Sequence, residues 1–200
     1  MIILENQTLV GRGLHREVYV HPENDRLCVK VAIVSEHKEF DREYHYYRLL
    51  QKRRIHWDNL PRFHGMVATD RGTGAVFDLI RDADGQVSKT LGEYLVASDL
   101  TATQARAIVA ATDALKRYLL DQAIITMTLK PKNIVYQHLS EDSGKLFVID
   151  NIGNSDFIPL CNYVAGLARR KIARKWRQFE NTIASLPSLS PELRTLVTAD

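Results

Sequence analysis

Cysteine is scarce in this chain of 200 residues, which contains only Cys28 and Cys161. Neither cysteine has the spacing of a metal site, and both lie among apolar residues, so we expect reduced, buried thiols in a cytoplasmic protein. No apolar run approaches the ~18 residues that a membrane helix needs. The first residues have neither a basic leader nor a long apolar segment, and we therefore expect no signal peptide.

Acidic residues are absent from 169–177, although the composition as a whole is that of an ordinary folded protein. The chain is 45% hydrophobic and 26% charged, with a formal charge of +3. The helix predicted to contain residues 169–177 has an apolar stripe from Val164 to Ile183. Either the cations of this segment form a solvated face, or they form a docking surface for anionic lipid, phosphosugar or nucleic acid. These cations are Arg169, Arg170, Lys171, Arg174, Lys175 and Arg177.

The N-terminal part of the chain has the pattern of a small antiparallel sheet with one helix. A glycine turn at Gly11–Gly13 joins two strands, and residues 27–32 alternate with the strand period of two. Residues 36–53 have helical spacing, and residues 75–80 form another buried strand. The glycine turn either lets backbone N–H groups approach phosphate or is an ordinary hairpin turn.

The C-terminal part is predicted to be mostly helical, so the expected fold class is α+β. We place a boundary between two lobes, residues 1–82 and 83–200. A capping box at Thr101 starts a long helix. A short hairpin follows within residues 134–149, and the last helices carry the basic segment.

Two charged residues fall at positions that the pattern predicts to be buried. Lys30 lies in the apolar strand, and Glu43 lies on the apolar face of the helix. A buried lysine is unfavourable unless it is paired, which makes Glu43 its natural partner. The pair would hold the ammonium group against the α- and β-phosphates of a nucleotide. The alternative is that Lys30 lies on an edge strand and extends into solvent.

A second polar group lies in the C-terminal part. Lys130 and Asn133 belong to a Lys-Pro-x-Asn loop, and Asp150 ends the apolar run 146–149. Asn and Asp offer the oxygen ligands that Mg²⁺ prefers, whereas each residue alone is equally typical of a turn. The three residues together indicate a phosphoryl-transfer site.

The order of these features resembles that of the protein-kinase fold: glycine turn, strand lysine, helix glutamate, Lys-Pro-x-Asn loop and strand-terminal aspartate. Within that superfamily the whole chain is similar to the bacterial PhoP regulatory network protein YrbL family. The resemblance implies a compact kinase-like fold with a small N-lobe sheet plus one helix, a shortened helical C-lobe, and a link to a PhoP-type stress response. The segments that carry it are Pro61–Gly65, Gly72–Gly74, Thr126–Ile134, Asp150–Ser155 and Ile158–Leu160.

The resemblance also implies roles for individual residues, with ATP and Mg²⁺ as cofactors. Asn133 and Asp150 would bind the metal, and Lys130 and Thr128 would be the catalytic residues of the loop 126–133. Phe77, Asp78 and Ile80 would line the adenine slot and hinge. The implied nucleotide-binding residues are Gly11, Gly13, Lys30, Glu43, Phe77, Asp78 and Ile80.

The chain departs from the kinase pattern at several points. Thr128 stands where the general-base aspartate is expected, and a threonine hydroxyl does not accept a proton at neutral pH. Arg16 replaces the third glycine of the turn, and only 47 residues follow Gly153, which argues against a peptide substrate. Two functions remain open. One is an atypical phosphotransferase acting on a small or envelope-derived molecule. The other is a pseudokinase that acts as a nucleotide-dependent regulatory binding protein.

Overall fold

An antiparallel sheet of five strands dominates the first part of the computed structural model, which describes residues 1–33, 38–156 and 158–197. The strands are β1 (Leu9–Arg12), β2 (Arg16–His21), β3 (Asn24–Ala32), β4 (Phe63–Thr69) and β5 (Gly72–Asp78). Their order in the sheet is β1-β2-β3-β5-β4. The strand that contains Lys30 is therefore central, with β2 and β5 on its two sides.

Both faces of the sheet are covered, because alternate residues of β3 point to opposite sides. The outer face packs Val29 and Val31 against the N-terminal segment, in which Leu4 is fully buried. That segment is fixed by Asp70, whose carboxylate accepts the Leu4 N–H (2.7 Å) and the Glu5 N–H (3.1 Å). These hydrogen bonds lower the pKa of the Asp70 carboxyl.

Helix α1 (Lys38–Arg53) packs on the inner face of the sheet. Tyr47 is fully buried there, and its ring centroid lies 5.0 Å from that of Phe77 and 6.1 Å from that of Phe63. Aromatic pairs at such distances add to the stabilisation that burial gives. This aromatic cluster holds α1 against β4 and β5. The helix predicted over 36–53 is confirmed from residue 38 onward, while residues 36 and 37 lie outside the described residues.

The remaining elements form a mostly helical part, as predicted. The capping box at Thr101 is confirmed, with the Gln104 N–H donating to Thr101 Oγ1 at 3.2 Å. Helix α3 packs against β7, α4 and α5 and buries Ile108, Leu115 and Leu119. The elements are α2 (Leu91–Leu95), α3 (Ala102–Asp121), β6 (Ile134–Ser140), β7 (Ser143–Val148), α4 (Ala165–Ala184) and α5 (Pro191–Val197).

Three local predictions are corrected. Gly11 lies within β1, opposite Val18, and the chain turns only after Gly13, whose N–H donates to the Arg16 carbonyl at 2.8 Å. Val164 precedes α4 and is 48% exposed, so the apolar stripe of that helix begins at Ala168. Cys161 is half-buried, whereas Cys28 is buried as expected. Burial raises the pKa of the Cys28 thiol to about 11.

Strand β4 and helix α2 have no counterpart among the sequence predictions. In β4, Gly65 has a φ of +121° and the pairing with β5 shifts register between Phe63 and Gly65, which disrupts the regular alternation. Helix α2 has five residues, too few for a helical period to be recognised. None of the helices over the described residues has the length and hydropathy that a membrane span requires.

Gly74 in β5 provides a test of the packing between β5 and β3. A Cβ added there would lie 2.6 Å from Val29 Cγ1 and 3.3 Å from Val31 Cγ1. We expect Gly74→Ala to lower the free energy of unfolding by about 1–3 kcal/mol, because overpacking forces side chains from their preferred rotamers. Urea unfolding measures this change. Gly11→Ala is the control in the same sheet, since its Cβ would meet nothing within 4 Å. Equal stability of the two variants would contradict the packing described here.

Candidate functional site

Backbone hydrogen bonds bring the loop 126–133 to the segment that follows β7. The Ile149 N–H donates to the Asn133 carbonyl at 2.9 Å, which places Asp150 next to Asn133. The Met127 N–H donates to the Asn151 carbonyl at 2.8 Å, and the Gly153 N–H donates to the Ile125 carbonyl at 2.9 Å. Two segments that are separate in sequence, 125–133 and 149–153, therefore lie side by side beneath the sheet and α1, and we call them the polar floor of the site.

Lys30 projects from β3 toward this floor. It is only 6% exposed, and its ammonium group donates a hydrogen bond to the carbonyl oxygen of Ile149, the residue before Asp150. The same Nζ lies 4.5 Å from the centroid of the Phe77 ring, an arrangement that favours a cation. The expectation of a buried strand lysine is thus confirmed, and the alternative of an edge strand with a solvent-exposed lysine is wrong.

Glu43 is buried at 2% exposure, but its partner differs from the one expected. Within the part of the chain that the structure describes, Glu43 forms its ion pair with Arg16 and not with Lys30. Arg16 Nη1 also lies 3.1 Å from Asp150 Oδ1. A single guanidinium group therefore joins the helix carboxylate to the carboxylate at the end of the hairpin.

Sequence reasoning missed Arg16 because it treated this position only as a substituted glycine. The alternation of residues in β2 and β3 indicated that Arg16 shares a face with Lys30. Arg16 pairs with Ala32 and Val18 pairs with Lys30, so Arg16 and Lys30 lie on the same face of the sheet. Two cations on one buried face require more than one carboxylate partner or carbonyl acceptor.

Asn133 and Asp150 have the donor atoms that suit Mg²⁺. Asn133 is 6% exposed, and its amide nitrogen finds no hydrogen-bond partner among the residues described. Asp150 is a third exposed, with Oδ1 accepting the Asn151 N–H at 2.9 Å. Mg²⁺ is usually held by one or two protein oxygens together with phosphates and water. The two side chains fit that requirement. Over the described ranges, no cluster of three or more His, Cys, Asp or Glu residues is present.

The predicted catalytic residues lie beside this pair in the chain. Pro131–Asn133 form a short 3-10 turn, in which the Asn133 N–H donates to the Lys130 carbonyl at 2.9 Å. Thr128 and Lys130 are exposed, and both side chains line a groove that continues toward α2 and α4. Lys130 forms no ion pair with any carboxylate that the structure describes.

The residues expected to line an adenine slot lie at the end of β5, which contains Phe77 and Asp78, and just after it at Ile80. Phe77 is buried at 3% exposure beneath Lys30. The Asp78 carboxylate accepts the Arg62 N–H at 2.9 Å and contacts His64 Nε2 at 2.6 Å, so its side chain is engaged within the sheet. The Ile80 carbonyl accepts the Ser88 N–H at 3.1 Å. Their role in binding adenine stays a prediction.

The basic segment does not form a single face. Lys171 is buried at 6% exposure, where it pairs with Asp156 at 2.6 Å and donates to Asn154 Oδ1. The hydrogen bond that Lys171 donates to Asp156 lowers the pKa of the Asp156 carboxyl. Lys175 lines the groove, and Arg169 donates to the Leu120 carbonyl at 3.1 Å. The prediction that all six cations share one surface is wrong. Helix α4 packs with its apolar stripe toward the core, and the cations therefore lie on different sides of the helix. Those left on the exposed outer face are Arg170, Arg174 and Arg177.

The fold and site together define a mixed α+β protein with a buried cation–carboxylate cluster between its sheet and its helices. The family model described as PhoP regulatory network protein YrbL matches residues 2–184. Two proteins named "Uncharacterized protein YrbL", from Escherichia coli (strain K12) and Shigella flexneri, are each 41% identical to this chain over 184 residues. The match covers 90% of this chain and 86% of each relative. The chain belongs to the YrbL family.

The ion pair of Arg16 with Glu43 can be tested by a double-mutant cycle. We expect Arg16→Leu alone to lower the free energy of unfolding by about 3–5 kcal/mol, because it leaves the Glu43 carboxylate buried without its cation. Adding Glu43→Leu should recover much of this loss, since neither charge is then buried. Urea unfolding of both single variants and the double variant gives the coupling energy.

The matched control for this cycle is Arg12→Leu. The Arg12 side chain is 67% exposed and lies 3.4 Å from Glu17 Oε1. Glu17 is buried, but it also contacts Arg71 at 3.5 Å and accepts the Tyr19 hydroxyl at 2.6 Å, so loss of the exposed Arg12 should cost at most about 1 kcal/mol. Purely additive losses in the Arg16 and Glu43 variants would show that the buried pair does not stabilise the fold.

Proposed function

We propose that this protein binds Mg-ATP between two kinase-like lobes, residues 1–82 and 83–200, and transfers a phosphoryl group to a small or envelope-derived acceptor. The observation that carries the proposal is the convergence of Lys30, Asn133 and Asp150. These residues come from three distant segments, yet Lys30 donates to the Ile149 carbonyl and Ile149 donates to Asn133. Phosphoryl transfer depends mainly on this kind of positioning and charge neutralisation.

The proposed roles follow from the chemistry of each side chain. The Lys30 ammonium contacts the nucleotide phosphates, while Asn133 and Asp150 hold Mg²⁺, which neutralises phosphate charge. Gly11 and Gly13 would offer backbone N–H groups to the phosphates, and a Cβ at Gly11 would meet nothing within 4 Å, which leaves room for close approach to the backbone. Phe77 to Ile80 accept the adenine.

Arg16 has a distinct role in this proposal. Because Arg16 neutralises Glu43, Lys30 does not need that carboxylate as its partner and remains directed at the Ile149–Asp150 segment. Arg16 also places a second permanent positive charge 3.1 Å from Asp150 Oδ1. Among the described residues Lys30 contacts the Ile149 carbonyl and the Phe77 ring and forms no ion pair, so its charge remains available to an anionic group. The phosphates of a nucleotide would supply that group.

The second candidate function is a pseudokinase, and Thr128 is the observation that favours it. A threonine at this exposed position supplies no general base, which typically contributes about 10²- to 10⁴-fold to the rate. In this alternative the protein acts in the cytoplasm as a nucleotide-dependent regulatory binding protein, and its partner contacts the outer face of α4. The description of its family as a PhoP regulatory network protein suits such a role in a PhoP-type stress response.

Nucleotide binding is tested by the thermal shift of the wild type and of Asp150→Ala with Mg-ATP. A ligand present at 100 times its Kd stabilises the native state by about 2.7 kcal/mol. For a protein of this size we expect the melting temperature to rise by about 5–10 °C. Asp150→Ala should lose the shift, because it removes the proposed metal ligand.

Asp113→Ala is the control for that experiment, since Asp113 is exposed on α3 and far in sequence from the site. This variant should keep the full shift. Absence of a shift in the wild type would reject both functions that depend on a nucleotide. A shift that persists in Asp150→Ala would reject the proposed metal site.

The rate of phosphate release from Mg-ATP, measured for the wild type, Thr128→Asp and Asp150→Ala, distinguishes the two functions. If the protein is a phosphotransferase, the wild type should exceed Asp150→Ala, because catalysis then depends on metal and positioning. A wild-type rate equal to that of Asp150→Ala would instead favour the pseudokinase. An increase of about a hundredfold in Thr128→Asp would then identify the missing base as the cause.

A further inference from the structure

A groove lies between α2, the loop 128–132 and α4, on the side of the loop that faces the helices. Its volume is about 510 Å³, which is within the range of about 300–1,000 Å³ typical of small-molecule sites. The predicted roles of the nucleotide residues do not use it. The groove is lined by residues 128–132 of the loop, which include both predicted catalytic residues, Thr128 and Lys130.

The walls of the groove are apolar. Leu95 and Val96 line it from the end of α2, Leu129 from the loop, and Phe179 from α4. Phe179 is 1% exposed and fixed by packing against Trp176, with ring centroids 5.3 Å apart, whereas Val96 at the rim is 50% exposed. A rigid apolar wall with an open rim suits a hydrocarbon or ring of limited size.

The charged lining of the groove is cationic. Lys130 and Lys132 come from the loop and Lys175 comes from α4, and no carboxylate is present among the lining residues that the structure describes. None of the three lysines forms an ion pair within the described residues. Three such cations attract an anion, and a phosphate monoester carries about two negative charges at neutral pH.

We propose that this groove binds a small amphiphilic phosphate ester, with the phosphate among Lys130, Lys132 and Lys175 and the hydrocarbon body against Leu95, Val96 and Phe179. The volume favours a small molecule over a polymer. The ligand needs both parts, because lysines alone bind phosphate weakly in water and the apolar wall alone gives no preference for charge. This binding does not require a nucleotide, so the two proposals stand or fall separately.

Isothermal titration calorimetry with monooctyl phosphate, below its micelle concentration, tests the proposal. We expect saturable binding of one molecule per chain. Lys175→Gln should raise the Kd by about tenfold or more, because it removes one charge-assisted contact. Val96→Glu should weaken binding by a similar factor without changing the melting temperature, since it places an anion at the exposed rim.

Lys145→Gln is the matched control, because Lys145 is an exposed lysine on β7 outside the groove. It should bind monooctyl phosphate as the wild type does. Octyl glucoside and inorganic phosphate should each bind at least about tenfold more weakly, because the first lacks the charge and the second lacks the apolar body.

Three results would overturn the proposal. Absence of binding would do so directly, and equal binding of octyl glucoside would show that the lysines do not select the ligand. Loss of binding in Arg174→Gln, with Lys175→Gln unaffected, would place the anion on the outer face of α4. Each result is independent of the Mg-ATP thermal shift, because Lys132, Lys175 and Val96 lie outside the proposed nucleotide site.

Discussion

The contact of Arg16 with Glu43 and Asp150 is the interaction on which the rest of the site depends. Glu43 is almost fully buried, and a buried carboxylate is strongly unfavourable without a cation. Arg16 supplies that cation from the start of β2 and reaches the end of the β6–β7 hairpin at the same time. One side chain therefore fixes the position of α1 relative to both the sheet and the polar floor of the site.

This contact also determines which groups Lys30 contacts. Because Glu43 is neutralised by Arg16, Lys30 donates to the Ile149 carbonyl and lies over the Phe77 ring. The ammonium group thus contacts the residue before Asp150, and the Arg16 guanidinium group lies 3.1 Å from Asp150 Oδ1. The Asn133 amide nitrogen, a hydrogen-bond donor, has no partner among the described residues.

Helix packing places the cations of the basic segment in different environments. The apolar residues of α4 face the core, and the cations that flank them are carried to different sides. Lys171 is buried, where it ties the loop 154–156 to the helix. Lys175 faces the groove next to the loop lysines, and Arg170, Arg174 and Arg177 stay in solvent. Burial of a lysine next to an aspartate stabilises a loop, whereas cations beside an apolar wall favour an amphiphilic anion.

The sequence by itself determined the local features, because these depend on short-range periodicity and side-chain chemistry. It predicted the antiparallel strands, the capping box at Thr101 and the burial of Lys30, whereas the pairing of Asn133 with Asp150 was implied by the family resemblance. Only the tertiary structure decided which charges meet, since the partner of a buried carboxylate depends on strand register and helix placement. It paired Glu43 with Arg16 across 27 positions, buried Lys171 against Asp156, and brought Lys132 and Lys175 to one groove. No local pattern encodes these contacts, because each one joins segments that are distant in the sequence.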